Sequence, residues 1–152
     1  MNEYIEDMRL NDACRVQHEA VVKKGFEPQP VATNLMLIVS ELSEALEADR
    51  HDRHADYDAF ENALPKAYIG MNGGVLFELK NNEQTPINKD YARSLYKAAF
   101  EKHVKDSFED EIADAFLRLM DLCGEHGIDI EKHIRAKFVY NTMRPTKHGK
   151  AY

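Results

Sequence analysis

The chain is poor in the residues that would commit it to a covalent, fibrous or membrane architecture. It has no tryptophan, and among 152 residues only two cysteines, five prolines and seven glycines. Two cysteines cannot build a disulfide framework. Cys14 and Cys123 each fall in a helical pattern, so they are expected to be two buried thiols of a cytoplasmic protein, with no disulfide between them. So little glycine and proline excludes collagen-like and low-complexity chains. The longest apolar run, LMLIV at 35–39, is far too short to span a bilayer. The N-terminus MNEYIEDMRLND is acidic and amphipathic rather than basic then apolar, so no secretory leader is expected. Positive charge is also short: 20 Lys and Arg face 27 Asp and Glu, a net −7 that argues against nucleic acid as a partner. The glycines at 70–74 lack the GK[ST] ending of a phosphate-binding loop.

What remains is 43% hydrophobic and 31% charged, enough for one soluble domain over residues 1–152 with a core of its own. Apolar residues recur at helical spacing over 3–24, 31–50, 89–105, 107–123 and 130–143. Gly25 stops the first helix, Pro30 suits the first turn of the second, and Ser107 and Asp129 are placed to cap the last two. The glycines from 124 to 127 should end the helix that begins at 107. Residues 51–66 read as a short helix or a helix extension. Between 67 and 89 the helical period is lost. Asn72-Gly73-Gly74, between Tyr68-Ile69 and Val75-Leu76-Phe77, suggests a small β-hairpin, and 81–86 a loop. The fold class expected is all-α: a bundle of about four core helices with an irregular insertion at roughly 55–105. The LMLIV run is apolar nearly all round its helix, which predicts burial on more than one side, against a partner subunit or, as the alternative, as the central helix of a monomer.

Two helices carry paired carboxylates. In SFEDEIADAFLRLMDLC, residues 107–123, an apolar arc runs through Phe108, Ile112, Ala115, Phe116, Leu119 and Leu122. Glu111 and Asp114, three apart, share a face at its border. Glu41 and Glu44 repeat the device in the helix over 31–50. No lysine follows Glu41, Glu44 or Glu111 at i+4, whereas Arg118 stands four beyond Asp114, as a salt bridge or an orienting group. Carboxylates at a core's edge call for a cation. Four of them converging from two antiparallel helices would make an oxygen-only site for Mg²⁺ or Mn²⁺. The last helix is basic. Lys137, Tyr140, Asn141 and Arg144 fall on one side of it, a cation–aromatic–amide set suited to a nucleotide.

Glu41-x-x-Glu44 followed by Glu111-x-x-Asp114, with the closing run KFVYNTMRPTKHGK at 137–150, resembles the MazG-like branch of the all-α nucleoside triphosphate pyrophosphohydrolases. The resemblance covers roughly 1–55 and 100–152. It implies hydrolysis of a (d)NTP or related nucleotide to the monophosphate and pyrophosphate. It also implies Mg²⁺ on Glu41, Glu44, Glu111 and Asp114, substrate on Lys137, Tyr140, Asn141 and Arg144, and a homodimer or homotetramer. Two departures stand out. Ser40 takes the place of an additional glutamate common in the family, whose role Glu47 could assume, and the stretch from Glu44 to Glu111 is much longer than the family's usual one. Ser40 keeps open an alternative, a non-catalytic nucleotide-binding or assembly protein with degenerate acidic motifs. His51-Asp52 with His18 upstream is only a faint echo of the HD phosphohydrolases.

Overall fold

A computed structural model describes residues 9–64, 77–80, 83–86 and 89–144. The described residues are predominantly helical and form six helices: α1 (Leu10–Lys23), α2 (Val31–Arg50), α3 (Tyr57–Ala63), α4 (Lys89–His103), α5 (Phe108–Glu125) and α6 (Ile130–Thr142). No described helix is long and apolar enough to cross a membrane.

The helix ends follow local chemistry. α1 stops because Gly25 adopts the left-handed conformation, φ +82°. Pro30 is the N-cap of α2 and lies just outside the first turn in which the sequence placed it. Asp56, Ser107 and Asp129 cap α3, α5 and α6, their side-chain oxygens accepting from the backbone N–H three residues on. Gly124 does not end α5; it lies within the helix. A Cβ there would stand 2.4 Å from the Cys14 carbonyl oxygen and 2.7 Å from His18 Cβ. The glycine thus lets α1 lie directly on α5.

α5 is the central element, with α2 antiparallel along one side and α1 along another. Ile38, Ala115 and Leu122 form the core between α2 and α5. A second small core, Phe60 with Ala99 and Val104, joins α3 to α4. It is tied back to the start of α5, where Arg53 O accepts from Phe108 N and the Glu109 carboxylate accepts from Ala55 N. α6 rests on α1, through Asn11 bonded to Asp129 and Glu131. The packed part of the bundle is therefore three helices, α1, α2 and α5, rather than four.

Two extended segments, β1 (Phe77–Lys80) and β2 (Glu83–Pro86), pair antiparallel, Phe77 opposite Pro86. β2 thus replaces part of the loop expected at 81–86. The turn at Asn72-Gly73-Gly74 lies outside the described residues.

Large side chains are poorly covered within one chain. On α2, Leu35, Val39, Leu42 and Leu46 are each about half exposed, and on α5 so are Phe116 (61%) and Leu119 (41%). Phe116 and Leu119 thus leave the arc on which the sequence placed them in the core. On α2 the exposed Val39, Leu42 and Leu46 each lie one residue on from a buried one, Ile38, Glu41 and Ala45, and on α5 Phe116 follows buried Ala115. One residue turns a helix by about 100°. In an antiparallel pair this carries both stripes to the same side of the pair.

Candidate metal centre and cavity

The antiparallel pairing of α2 with α5 brings Glu41 and Glu44 against Glu111. Each offers a carboxylate oxygen, and the three oxygens lie within 4.8 Å of one another. Glu41 and Glu111 are buried; Glu44 is exposed. Helix periodicity explains the split, because Glu41 belongs to the stripe facing α5 whereas Glu44 stands at its edge. Asp114, one turn along α5, is not in the three-carboxylate set.

The electrostatics of this corner are unbalanced. The Glu111 carboxyl is pushed up to about 7, first by burial and then by Glu44, Asp110, Glu41 and Asp114. Asp114 is raised for the same reasons, burial first and then Asp110 and Glu41, with Arg118 opposing. Arg118 does not serve chiefly as the i+4 partner of Asp114; its Nε donates to Glu41 Oε1 at 2.6 Å, across the helix pair. One guanidinium thus faces several carboxylates, and a hard divalent cation suits the deficit. Glu47 does not replace the acidic group that Ser40 lacks. It is exposed, pairs with His51 at 2.8 Å and Arg50 at 3.6 Å, and its carboxyl is lowered, chiefly by the His51 hydrogen bond.

A half-open cavity of about 500 Å³ lies between α1, the α1–α2 link, α2 and α5; Glu41, Glu44 and Glu111 do not line it. Asp114 and Arg118 line it nearest the acidic cluster. Val21, Phe26, Leu37 and Leu117 give it apolar walls, and Gln17, His18, Thr33, Asn34, Asp121 and Glu125 polar ones. His18 Nδ1 and Asp121 Oδ1 are 2.9 Å apart, and Asn34 Nδ2 donates to Glu125 Oε2 at 3.2 Å. The volume and the mix of apolar walls with a few fixed polar groups suit a small heterocyclic ligand.

These cavity residues were not singled out from the sequence. A signal existed: Asp114, Arg118, Asp121 and Glu125 recur at i, i+4, i+7 and i+11, a polar lane along a helix otherwise read for its apolar arc. His18 pairs with Asp121, and His51 with Glu47, so the HD arrangement is not assembled.

Three of the four residues assigned to substrate, Lys137, Tyr140 and Asn141, lie on α6, and Arg144 follows just past its C-terminal end. Lys137 Nζ stands 5.1 Å from the Tyr140 ring centroid and the Arg144 guanidinium 6.0 Å from it. Tyr140, Asn141 and Arg144 are exposed, and α6 buries none of its residues. Among the described residues α6 packs chiefly on α1 rather than on α2 or α5. α6 starts beyond the far end of α5, whose residues 111 and 125 are separated by about 21 Å of helix, and none of the four lines the cavity. Lys147 and Lys150 lie outside the described residues.

No protein-family model matches the chain, and no match was found among curated proteins or solved structures.

Proposed function

We propose that the protein is a Mg²⁺-dependent nucleotide pyrophosphohydrolase of the MazG-like kind, with Mn²⁺ as an alternative ion. The observation that carries this reading is Glu41, Glu44 and Glu111 converging from two helices, short of positive charge, beside a cavity of nucleoside size. Glu41, Glu44 and Glu111 would hold the ion, with Asp114 flanking. When bound, the ion would polarise a phosphate oxygen and acidify a water. Glu44, the exposed member, would take the water's proton where the ion does not fully engage it. With the nucleoside in the cavity and the phosphates directed past Arg118, water adds at the α-phosphorus. The bond to the α,β-bridging oxygen breaks, giving monophosphate and pyrophosphate.

The reading includes a homodimer or homotetramer. Its support is the apolar side of the α2–α5 pair, where Leu35, Val39, Leu42 and Leu46 are spaced 4, 3 and 4 residues apart, a coiled-coil interval. A second copy would cover that side, and α6 of a neighbouring copy would bring Lys137, Tyr140, Asn141 and Arg144 to the phosphates. The insertion that carries β1 and β2 would act as a cover for the nucleotide or as a contact to a neighbouring copy.

One observation favours the second reading, a non-catalytic nucleotide-binding or assembly protein. Arg118 already engages Glu41, a carboxylate the metal would need. Pyrophosphate release from a nucleotide panel with Mg²⁺ separates the two. An α,β-methylene triphosphate should resist cleavage and a β,γ-methylene analogue should be cleaved. Orthophosphate as first product would remove the protein from this class, and nucleotide binding without turnover would leave the non-catalytic reading.

A further inference from the structure

The mechanism leaves both thiols unused, yet the fold sets them against each other. Cys14 is buried on α1 and Cys123 half-buried on α5, and both are free. They sit where the two helices come into direct contact, because Gly124, next to Cys123, has no Cβ to hold off the Cys14 carbonyl. The Cys123 thiol is near enough to that of Cys14 to act on it electrostatically. No comparable contact follows from the sequence, in which the two thiols stand more than a hundred residues apart.

We propose that Cys14 and Cys123 form a reversible intrachain disulfide that fastens α1 to α5 in the presence of a small-molecule disulfide such as oxidised glutathione. Cys123, the more accessible, attacks first as its thiolate; the glutathione S–S bond breaks, a mixed disulfide forms and one glutathione thiolate leaves. Cys14 then gives up its proton and attacks the Cys123 sulfur, expelling the second glutathione. Two protein thiols are oxidised and one glutathione disulfide is reduced to two thiols. Burial, followed by the influence of Cys123, holds the Cys14 thiol above its ordinary range, which suits it to the second, resolving step rather than the first. His18 follows Cys14 by one helical turn and lines the cavity, so the bond would fix that wall.

The test uses the full chain equilibrated with oxidised glutathione under native conditions. The expected result is an intact mass lower by about 2 Da and no alkylatable thiol. A melting temperature about 5–15 °C higher, reversed by dithiothreitol, should accompany it, as for a loop closed over some hundred residues. Cys123→Ser, at the less buried position, should abolish the shift while remaining folded, and Cys14→Ser should stop at a glutathione adduct on Cys123. Persistent adducts on the unmodified chain, disulfide-linked dimers, two thiols still alkylatable, or a lowered melting temperature would each overturn the proposal. None of these outcomes depends on nucleotide hydrolysis.

Discussion

Arg118 reaches across from α5 to Glu41 on α2 and donates from Nε to Oε1 at 2.6 Å. It is the one cation given directly to the three-carboxylate cluster among the described residues. The guanidinium thus acts on the same charge that a divalent ion would meet in the proposed enzyme.

Removing that guanidinium should expose the competition. Arg118→Ala is expected to destabilise the metal-free protein by about 1–3 kcal/mol, because Glu41 is left buried beside other carboxylates without a partner. The rise in melting temperature with Mg²⁺ should become larger than in the unsubstituted chain. Melts with and without Mg²⁺ check both halves, and an unchanged or smaller rise would show that Arg118 and the ion do not share Glu41.

Metal binding should depend on pH through Glu111. Its carboxyl lies at about 7 in the fold against an ordinary 4.5, so the protonated form is favoured in the folded chain. The associated stability is fully present below pH 4.5 and is lost as pH rises through 7. The metal-free protein should therefore melt lower at pH 8 than at pH 5, as far as this group governs. The ion requires the ionised form, so its affinity should fall about tenfold from pH 8 to pH 6. Titration calorimetry at the two values, with Glu111→Gln to remove the dependence, measures it; equal affinities would rule out Glu111 as a ligand.

Gly124→Ala should separate α1 from α5. The new methyl meets backbone at 2.4 Å, which no side-chain motion can relieve. The loss from overpacking, about 1–3 kcal/mol, should exceed the gain of up to about 1 kcal/mol from helix propensity. Gly127→Ala is the comparison, with φ +59° but nothing within 4 Å of its Cβ. It should be destabilised by backbone strain of about 1 kcal/mol without altering the cavity. A Gly124→Ala protein as stable as the parent would mean the helices sit farther apart.

The apolar side of the α2–α5 pair should govern assembly. Light scattering at micromolar concentration should give a dimer or tetramer, and Leu42→Glu with Phe116→Glu should shift it to a folded monomer with α-helical circular dichroism retained. A monomeric mass for the unsubstituted chain would show that this side is left to solvent.

The sequence by itself determined the main helices and the starts of α5 and α6. Periodicity over 31–50 and 107–123, with Ser107 and Asp129 as caps, depends on neighbours a few residues away, and local chemistry decides it. It likewise placed the Glu41–Glu44 and Glu111–Asp114 pairs on their helices, since spacing alone sets which side chains share a face. What it could not settle was distance between elements. Only the packing of α2 on α5 shows that three carboxylates meet while Asp114 stands apart, and that Arg118 turns to Glu41. Only the packing of α1 on α5 pairs His18 with Asp121, makes Gly124 a contact rather than a stop, and sets Cys14 against Cys123. Only the course of α6 lays it chiefly on α1 rather than on α2 or α5. These facts belong to rotations and separations of whole helices, fixed by side chains far apart in sequence, and no local pattern encodes them.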